Sequence, residues 1–216
     1  MLSVPLFDRL ARRYDRGNRV ISLGQDLRWK RRAARVLPAR GTVLDIGAGT
    51  GDLSRMARAS VIALDASGPM LQAGRFPPTA SRIVGDAQRL PLRTASLDGA
   101  VSGFLLRNLP DLDAFFTSAA RVLRPGAPLA ILEIAYPRGI LQRTLFRVYF
   151  HGVAPLLGGL ASGQFEAYRY LSRSLRHFPA PERLLAMAEA AGFERIELRR
   201  SQWLGFFLLT LRRRPG

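Results

Sequence analysis

Cysteine is absent from all 216 residues. That excludes disulfides, thiolate nucleophiles, cysteine-bound zinc and iron–sulfur clusters together. Histidine occurs twice, as His151 and His177, too few for a histidine-rich metal site, so no metal is expected. Lysine occurs once: Lys30 stands beside 32 arginines, a skew that reads as genome base composition or heat and not as function. Long apolar runs are missing too. The stretch 140–161 is interrupted by Arg143, Arg147 and His151 and then by Pro155 and Gly158-Gly159. The continuous run 203–211 suits a strand and is too short to span a bilayer. The N-terminus meets Asp8 and Arg9 before any apolar run could serve as a signal sequence. These absences describe a soluble, cytoplasmic protein.

What is present is an ordinary globular composition, 48% hydrophobic and 23% charged, in a chain long enough for one domain with a sizeable core. The formal charge of +17 is unevenly spread. Residues 1–36 hold ten basic and three acidic groups, whereas 37–137 hold ten and eight, a net of only +2. Residues 138–176 and 195–216 each carry +5, and 177–194 carry −2. A near-neutral block is flanked by basic segments, an arrangement that suits a polyanionic partner, either nucleic acid or an anionic membrane.

Residues 6–37 read as helical, with Tyr14, Asn18 and Gly24 as breaks. A strand–helix alternation comes next. Strands are expected at 43–46, 61–65, 82–86, 97–102 and 128–134, with helices at 52–59, from Ser67 onwards and at 110–123. Such alternation argues for a parallel sheet covered on both faces. Residues 140–175 interrupt it with helical, basic and aromatic chain. Pro181–Ala191 reads as one more helix, and Glu194–Arg199 with Trp203–Arg212 as a terminal antiparallel pair. The expected fold is α/β, a Rossmann-like doubly wound sheet in one domain. Its parts are a helical cap at 1–37, a core at 38–137, a helical lid at 138–178, and a last helix with the strand pair at 179–216.

The chemistry concentrates at strand ends. In Asp45-Ile-Gly47-Ala-Gly49-Thr50-Gly51-Asp52 a strand runs into a helix through three alternate glycines, which lets a ligand approach the backbone closely. The third glycine comes one residue early for a dinucleotide fingerprint, and Asp45 is better placed for an ammonium than for a pyrophosphate. Asp65, at the end of the second strand, can accept both hydroxyls of a ribose or cap the next helix. Asp86 ends the third and can meet an adenine amino group or cap the chain from Ala87 onwards. Three acids at successive strand ends would line the crevice where ligands bind in this architecture. A phosphate-free, positively charged nucleoside cofactor fits such a crevice: S-adenosylmethionine, leaving as S-adenosylhomocysteine.

Residues 43–52 resemble the first motif of class I S-adenosylmethionine-dependent methyltransferases. More of the chain is similar to one branch, the C-methyltransferases of menaquinone and ubiquinone biosynthesis. The opening Phe7-Asp8…Ala11…Tyr14-Asp15…Asn18 and its continuation Ser22-Leu-Gly24-Gln-Asp26…Trp29-Lys30 carry that likeness. So do Gly85-Asp86-Ala87…Leu90-Pro91, Phe104-Leu-Leu-Arg107-Asn108, Arg121-Val-Leu-Arg-Pro-Gly126 and Glu166-Ala-Tyr168-Arg-Tyr170. The resemblance implies roles by position. Gly47, Gly49 and Thr50 would cradle the methionyl part, Asp65 with Ala66 the ribose, Asp86 and Ala87 the adenine, and Gly103 a further cofactor contact. Arg107 and Asn108 would act on the acceptor ring, with Tyr14 and Tyr168 closing its pocket. The implied reaction is C-methylation of a polyprenylated quinol, most simply demethylmenaquinol.

Two departures bear on the acceptor. Leu105 stands where the family pattern has glycine, and the C-terminus lacks a glycine-rich, histidine-containing ending. A class I methyltransferase for another small molecule is therefore the alternative, and a nucleic-acid methyltransferase a weaker one. No cysteine is available for pyrimidine C5 chemistry, and the loop after strand four lacks the proline pair used on base amines, so no nucleic-acid partner is expected. A homo-oligomer is left open. The basic excess then belongs to flanks that also carry apolar and aromatic residues, as expected of a lid that takes a lipid from an anionic bilayer.

Overall fold

The computed structural model describes residues 8, 14–163, 170 and 173–215. Its frame is β1 (Thr42–Ile46), an aliphatic strand buried along nearly its whole length. Alternation sends Val43 into the layer that holds Trp29 and Ala33, and Leu44 and Ile46 into the layer that holds Phe115 and Phe116. A strand that is apolar on both faces belongs in the middle of a covered parallel sheet. Accordingly β2 (Ser60–Asp65) and β4 (Gly99–Gly103) pair with β1 on either side, both parallel. β3 (Ser81–Val84) and β5 (Pro128–Ile134) extend the sheet in the same sense. β7 (Phe206–Arg213) then inserts antiparallel between β5 and β6 (Phe193–Arg200). The sheet order is β3-β2-β1-β4-β5-β7-β6.

Helices cover both faces. α1 (Tyr14–Ile21) and α2 (Gln25–Ala34) precede the sheet; α3 (Asp52–Met56) and α4 (Gly68–Ala73) come after β1 and β2. α4 starts at Ser67, whose Oγ accepts the Met70 N–H at 3.1 Å, with Pro69 in the first turn. α5 (Leu112–Val122) starts at Asp111, whose carboxylate accepts the Ala114 N–H, and buries Phe115, Phe116, Ala119 and Val122. Truncating either phenylalanine would cost about 3–5 kcal/mol. α6 (Ile140–Val148), a π turn (Tyr149–Val153) and α7 (Ala154–Ser162) run on as one helical stretch, and α8 (Pro181–Ala190) leads into β6. Among the described residues no helix is long and apolar enough to cross a membrane.

The expected mostly parallel, doubly wound sheet with a terminal antiparallel pair is the one observed. Several boundaries differ. Asn18 lies inside α1 and breaks nothing. The helix expected over 52–59 stops at Met56, because Ala57 is extended and residues 60–65 already form β2. β3 ends at Val84, so Asp86 sits in the loop beyond it, and Leu97 precedes β4. Trp203 is half exposed in the turn before β7; only from Phe206 does the chain pair with β5.

Candidate active site

The main cleft lies outside the C-terminal ends of β1, β2 and β4, at the point where the strand order reverses. Its volume is about 110 Å³, and it opens to solvent. Eight of the nine residues expected to hold a cofactor line it: Gly47, Gly49, Thr50, Asp65, Ala66, Asp86, Ala87 and Gly103. The glycine loop needs its glycines. Gly47 has φ of 75°, and a Cβ there would stand 2.9 Å from the Leu105 side chain. Gly103 has ordinary φ, yet a Cβ would come within 2.7 Å of Leu53. Leu105, the bulky departure from the family pattern, thus fills the space directly over Gly47 and joins the cleft wall.

Asp65 organises the floor. Its carboxylate accepts the Gly49 N–H and the Ser67 N–H, each at 2.8 Å. Burial raises its pKa above the ordinary carboxylate value; those amides oppose the rise, and the Asp8 carboxylate adds to it. Asp8, from the opening motif, accepts a hydrogen bond from Ser67 Oγ at this edge. Asp86 accepts from the backbone N–H and the Nε2 of Gln88, at 2.9 and 3.1 Å, which places it at the far end of the cleft.

Asp45 sits elsewhere. It is buried at the end of β1, outside the cleft lining, and Oδ2 accepts from Ser54 Oγ at 2.6 Å. Burial pushes its pKa up to about 6, against the Ser54 bonds that pull it down, with further elevation from Asp65. Its Oδ1 has no hydrogen-bond partner among the described residues. A buried acceptor without a donor is costly. The surface left for a ligand is that of Gly49, Thr50 and Asp65, whose carboxylate suits the hydroxyls of a ribose.

Arg107 and Asn108, adjacent in the 3₁₀ turn Leu106–Asn108, open onto different spaces. Asn108 lines the cleft; its Nδ2 donates to the Phe104 carbonyl at 3.2 Å and its Oδ1 accepts from Tyr170 Oη at 3.1 Å. Arg107 turns inward, and its Nη1 donates to Glu133 Oε2 at 2.8 Å. Tyr168 and the side chain of Tyr14 lie outside the described residues. On the sequence alone Glu133 is either a pocket group or a buried partner for an arginine; it is the latter. Sequence reasoning misses Lys30, whose ammonium lines the cleft 2.7 Å from Asp52 and 3.4 Å from Asp26. The one available signal is its rarity: the sole lysine of the chain is buried. Burial opposes ionisation of Asp52, yet Lys30 and then Arg55 hold its pKa below the ordinary value.

The family profile of the ubiE/COQ5 methyltransferases matches residues 3–204. This chain belongs to the ubiE/COQ5 methyltransferase family. It is an S-adenosylmethionine-dependent methyltransferase. Among relatives, a Thermus thermophilus protein named demethylmenaquinone methyltransferase is 41% identical over 87% of this chain and 91% of its own length. A Syntrophotalea carbinolica protein named ubiquinone/menaquinone biosynthesis C-methyltransferase is 38% identical over 90% and 87%. Among solved structures, a SAM-dependent methyltransferase from Thermotoga maritima superposes with a TM-score of 0.70 at 18% identity, covering 98% of this chain and 99% of the other. The [4+2]-cyclase SpnF gives 0.65 at 18%, covering 88% and 81%. The last two likenesses concern the fold alone: a cyclase shares it, so the chemistry must be argued from the site.

Proposed function

We propose that this chain methylates a ring carbon of a lipophilic quinol, with demethylmenaquinol as the acceptor. The observation that carries the reading is the 41% identity to a demethylmenaquinone methyltransferase over nearly the whole of both chains. The site is consistent with it. Gly47, Gly49 and Thr50 would cradle the methionyl part, while Asp45 supports the loop from beneath through Ser54. Asp65 and Ala66 would hold the ribose: each Asp65 oxygen accepts one amide and retains a lone pair for a hydroxyl. Asp86 and Ala87 would border the adenine, and Gly103 keeps the space beside Leu53 open.

When bound, S-adenosylmethionine supplies an electrophilic methyl group. The protein must then align the acceptor and make its carbon electron-rich. Loss of a phenolic proton does the second, by pushing charge onto the adjacent ring carbon. Phenols ionise near pH 10, so a fixed cation helps. Arg107 is that cation, held in place by Glu133 and far too weak an acid to serve as the base. The proton therefore leaves through water, which Asn108 and Tyr170 are placed to order at the cleft.

A membrane surface belongs to the same proposal, in the cytoplasm at the inner face of the plasma membrane. Ile140, Leu141, Leu145, Val148, Leu156 and Leu160 are exposed along the α6–α7 stretch. The π turn advances the chain by an extra residue, so the apolar step from Val148 to Val153 keeps to one side. Arg138, Arg143 and Arg147 are exposed on the same segment, as suits an anionic bilayer. A different small-molecule acceptor has one observation in its favour, the Leu105 side chain over Gly47.

The test is turnover by the purified protein with methyl-labelled S-adenosylmethionine and a panel of reduced quinones, reading product mass. Methylated demethylmenaquinol is the expected product. No labelled quinol anywhere in the panel overturns the reading.

A further inference from the structure

Two cavities adjoin at the C-terminal edge of the sheet, and one residue is common to both linings. The first is the cofactor cleft. The second is small, about 30 Å³, and is walled by Asn18, Ser22, Arg107, Tyr149, Leu204 and Phe206 among others. The shared residue is Phe104.

Phe104 has φ of 60°, in the left-handed region that an aromatic side chain adopts only under constraint. Its backbone is pinned: the N–H donates to the Leu132 carbonyl at 2.8 Å, and the carbonyl accepts from Asn108 Nδ2. Its ring is held more weakly. It meets Phe206 edge-on at 5.9 Å between centroids. Lys30 Nζ, on the cleft wall, and Arg107 Cζ, on the inner wall, lie 5.9 and 5.7 Å from its centroid. Such contacts contribute about 0.5–1.5 kcal/mol each and have broad geometry. A strained but fixed backbone thus carries a ring held by contacts of broad geometry.

The inner cavity has its own chemistry. As it stands it has room for little more than water. Its walls are mostly aromatic and aliphatic, so displacement of Phe104 would open a slot for a flat apolar body beside the Arg107 guanidinium, which suits a phenolic oxygen. Methyl transfer requires the acceptor carbon in line with and close to the donor, so nothing can remain between the two cavities at reaction. We propose that the inner cavity receives the aromatic ring of the quinol, and that Phe104 is the partition that swings aside and then bears on the ring as a positioning residue. This rests on the quinol reading for the ligand's identity.

The experiment titrates 2-methyl-1,4-naphthoquinone into full-length protein saturated with S-adenosylhomocysteine, by calorimetry, and repeats it on two variants. Leu204→Trp fills the inner cavity without touching the cleft; naphthoquinone affinity should fall at least tenfold, with S-adenosylhomocysteine affinity within threefold. Phe104→Gly accepts the same backbone and removes the ring. It should bind naphthoquinone at least as tightly, since no ring has to move, while kcat falls at least tenfold and the acceptor KM does not rise. No naphthoquinone binding by the unsubstituted protein, or binding indifferent to Leu204→Trp, overturns the ring site. Unchanged kcat in Phe104→Gly, or loss of S-adenosylhomocysteine affinity beyond threefold, overturns the partition. If that variant fails to fold, Phe104→Leu takes its place, with the same tenfold loss of kcat expected and the same readings overturning. A protein that binds naphthoquinone in this way yet methylates no quinol would lose the proposed function and keep the ring site.

Discussion

The Arg107 guanidinium and the Glu133 carboxylate meet at 2.8 Å with side chains only 5% and 0% exposed. They lie twenty-six residues apart, one in the turn after β4 and the other near the end of β5, and the pairing of those strands brings them together. Two charges so far from water are stable only as a pair.

Glu133→Gln keeps the shape and removes the charge. It leaves a buried guanidinium facing a neutral amide, at a cost of about 3 kcal/mol, measurable by urea denaturation. If Arg107 supports the phenolate, kcat also falls at least tenfold while S-adenosylhomocysteine binding stays the same. Full activity in the variant would remove Arg107 from the chemistry.

Lys30→Met should be at least as damaging. It removes the ammonium shared by Asp26 and Asp52, two carboxylates 3% and 6% exposed, one on α2 and the other at the start of α3, leaving them Ser22 and Arg55. A loss of about 3–5 kcal/mol is expected, and Asp52→Asn added to it should recover a substantial part. Purely additive denaturation energies would show that the pair does not couple.

Asp45 gives the protein a pH signature. Its pKa is about 6 when folded and 3.8 as an ordinary carboxyl, so between these values the native state binds more protons than the unfolded one. This group's contribution to stability is therefore full below about pH 4 and lost as pH rises through about 6, by at most about 3 kcal/mol. Asp45→Asn should abolish that component and raise Tm at pH 7.5. Asp52 and Asp98, whose pKa values are lowered, act in the opposite sense, so the quantity to read is the difference between the two proteins across pH.

The exposed stripe can be tested without touching the site. Leu145 and Leu156 are 50% and 55% exposed, so Leu145→Glu with Leu156→Glu should cost little stability. Sedimentation with vesicles containing anionic lipid should fall at least fivefold, with turnover of a short-tailed quinol in solution unchanged. Equal sedimentation of both proteins would dismiss this face as the membrane contact.

Much of the cofactor cleft was legible in the sequence because its parts are local. A strand that ends in alternate glycines, and acids at the ends of successive strands, are patterns within a few residues of one another, and backbone sterics and strand alternation turn them into a crevice. Asp45 shows the limit of that reading: its place at a strand end was plain, but its burial beneath the loop against Ser54 depends on how α3 packs. The Asn18 break failed for a similar reason, since packing of α1 overrode a weak local preference.

The sequence by itself determined the alternating sheet, the glycine cradle, Asp65 at its floor, the exclusion of thiol chemistry and the resemblance that the family match bears out. Only the tertiary structure decided that Arg107 belongs to Glu133, that the lone lysine joins α2 to the start of α3, and that Phe104 stands between two cavities. Strand and turn signals are written within a few neighbouring residues. Pairing of buried charges and the sharing of a wall depend on residues 22 to more than 100 positions apart, where no local pattern records which partner the fold will supply.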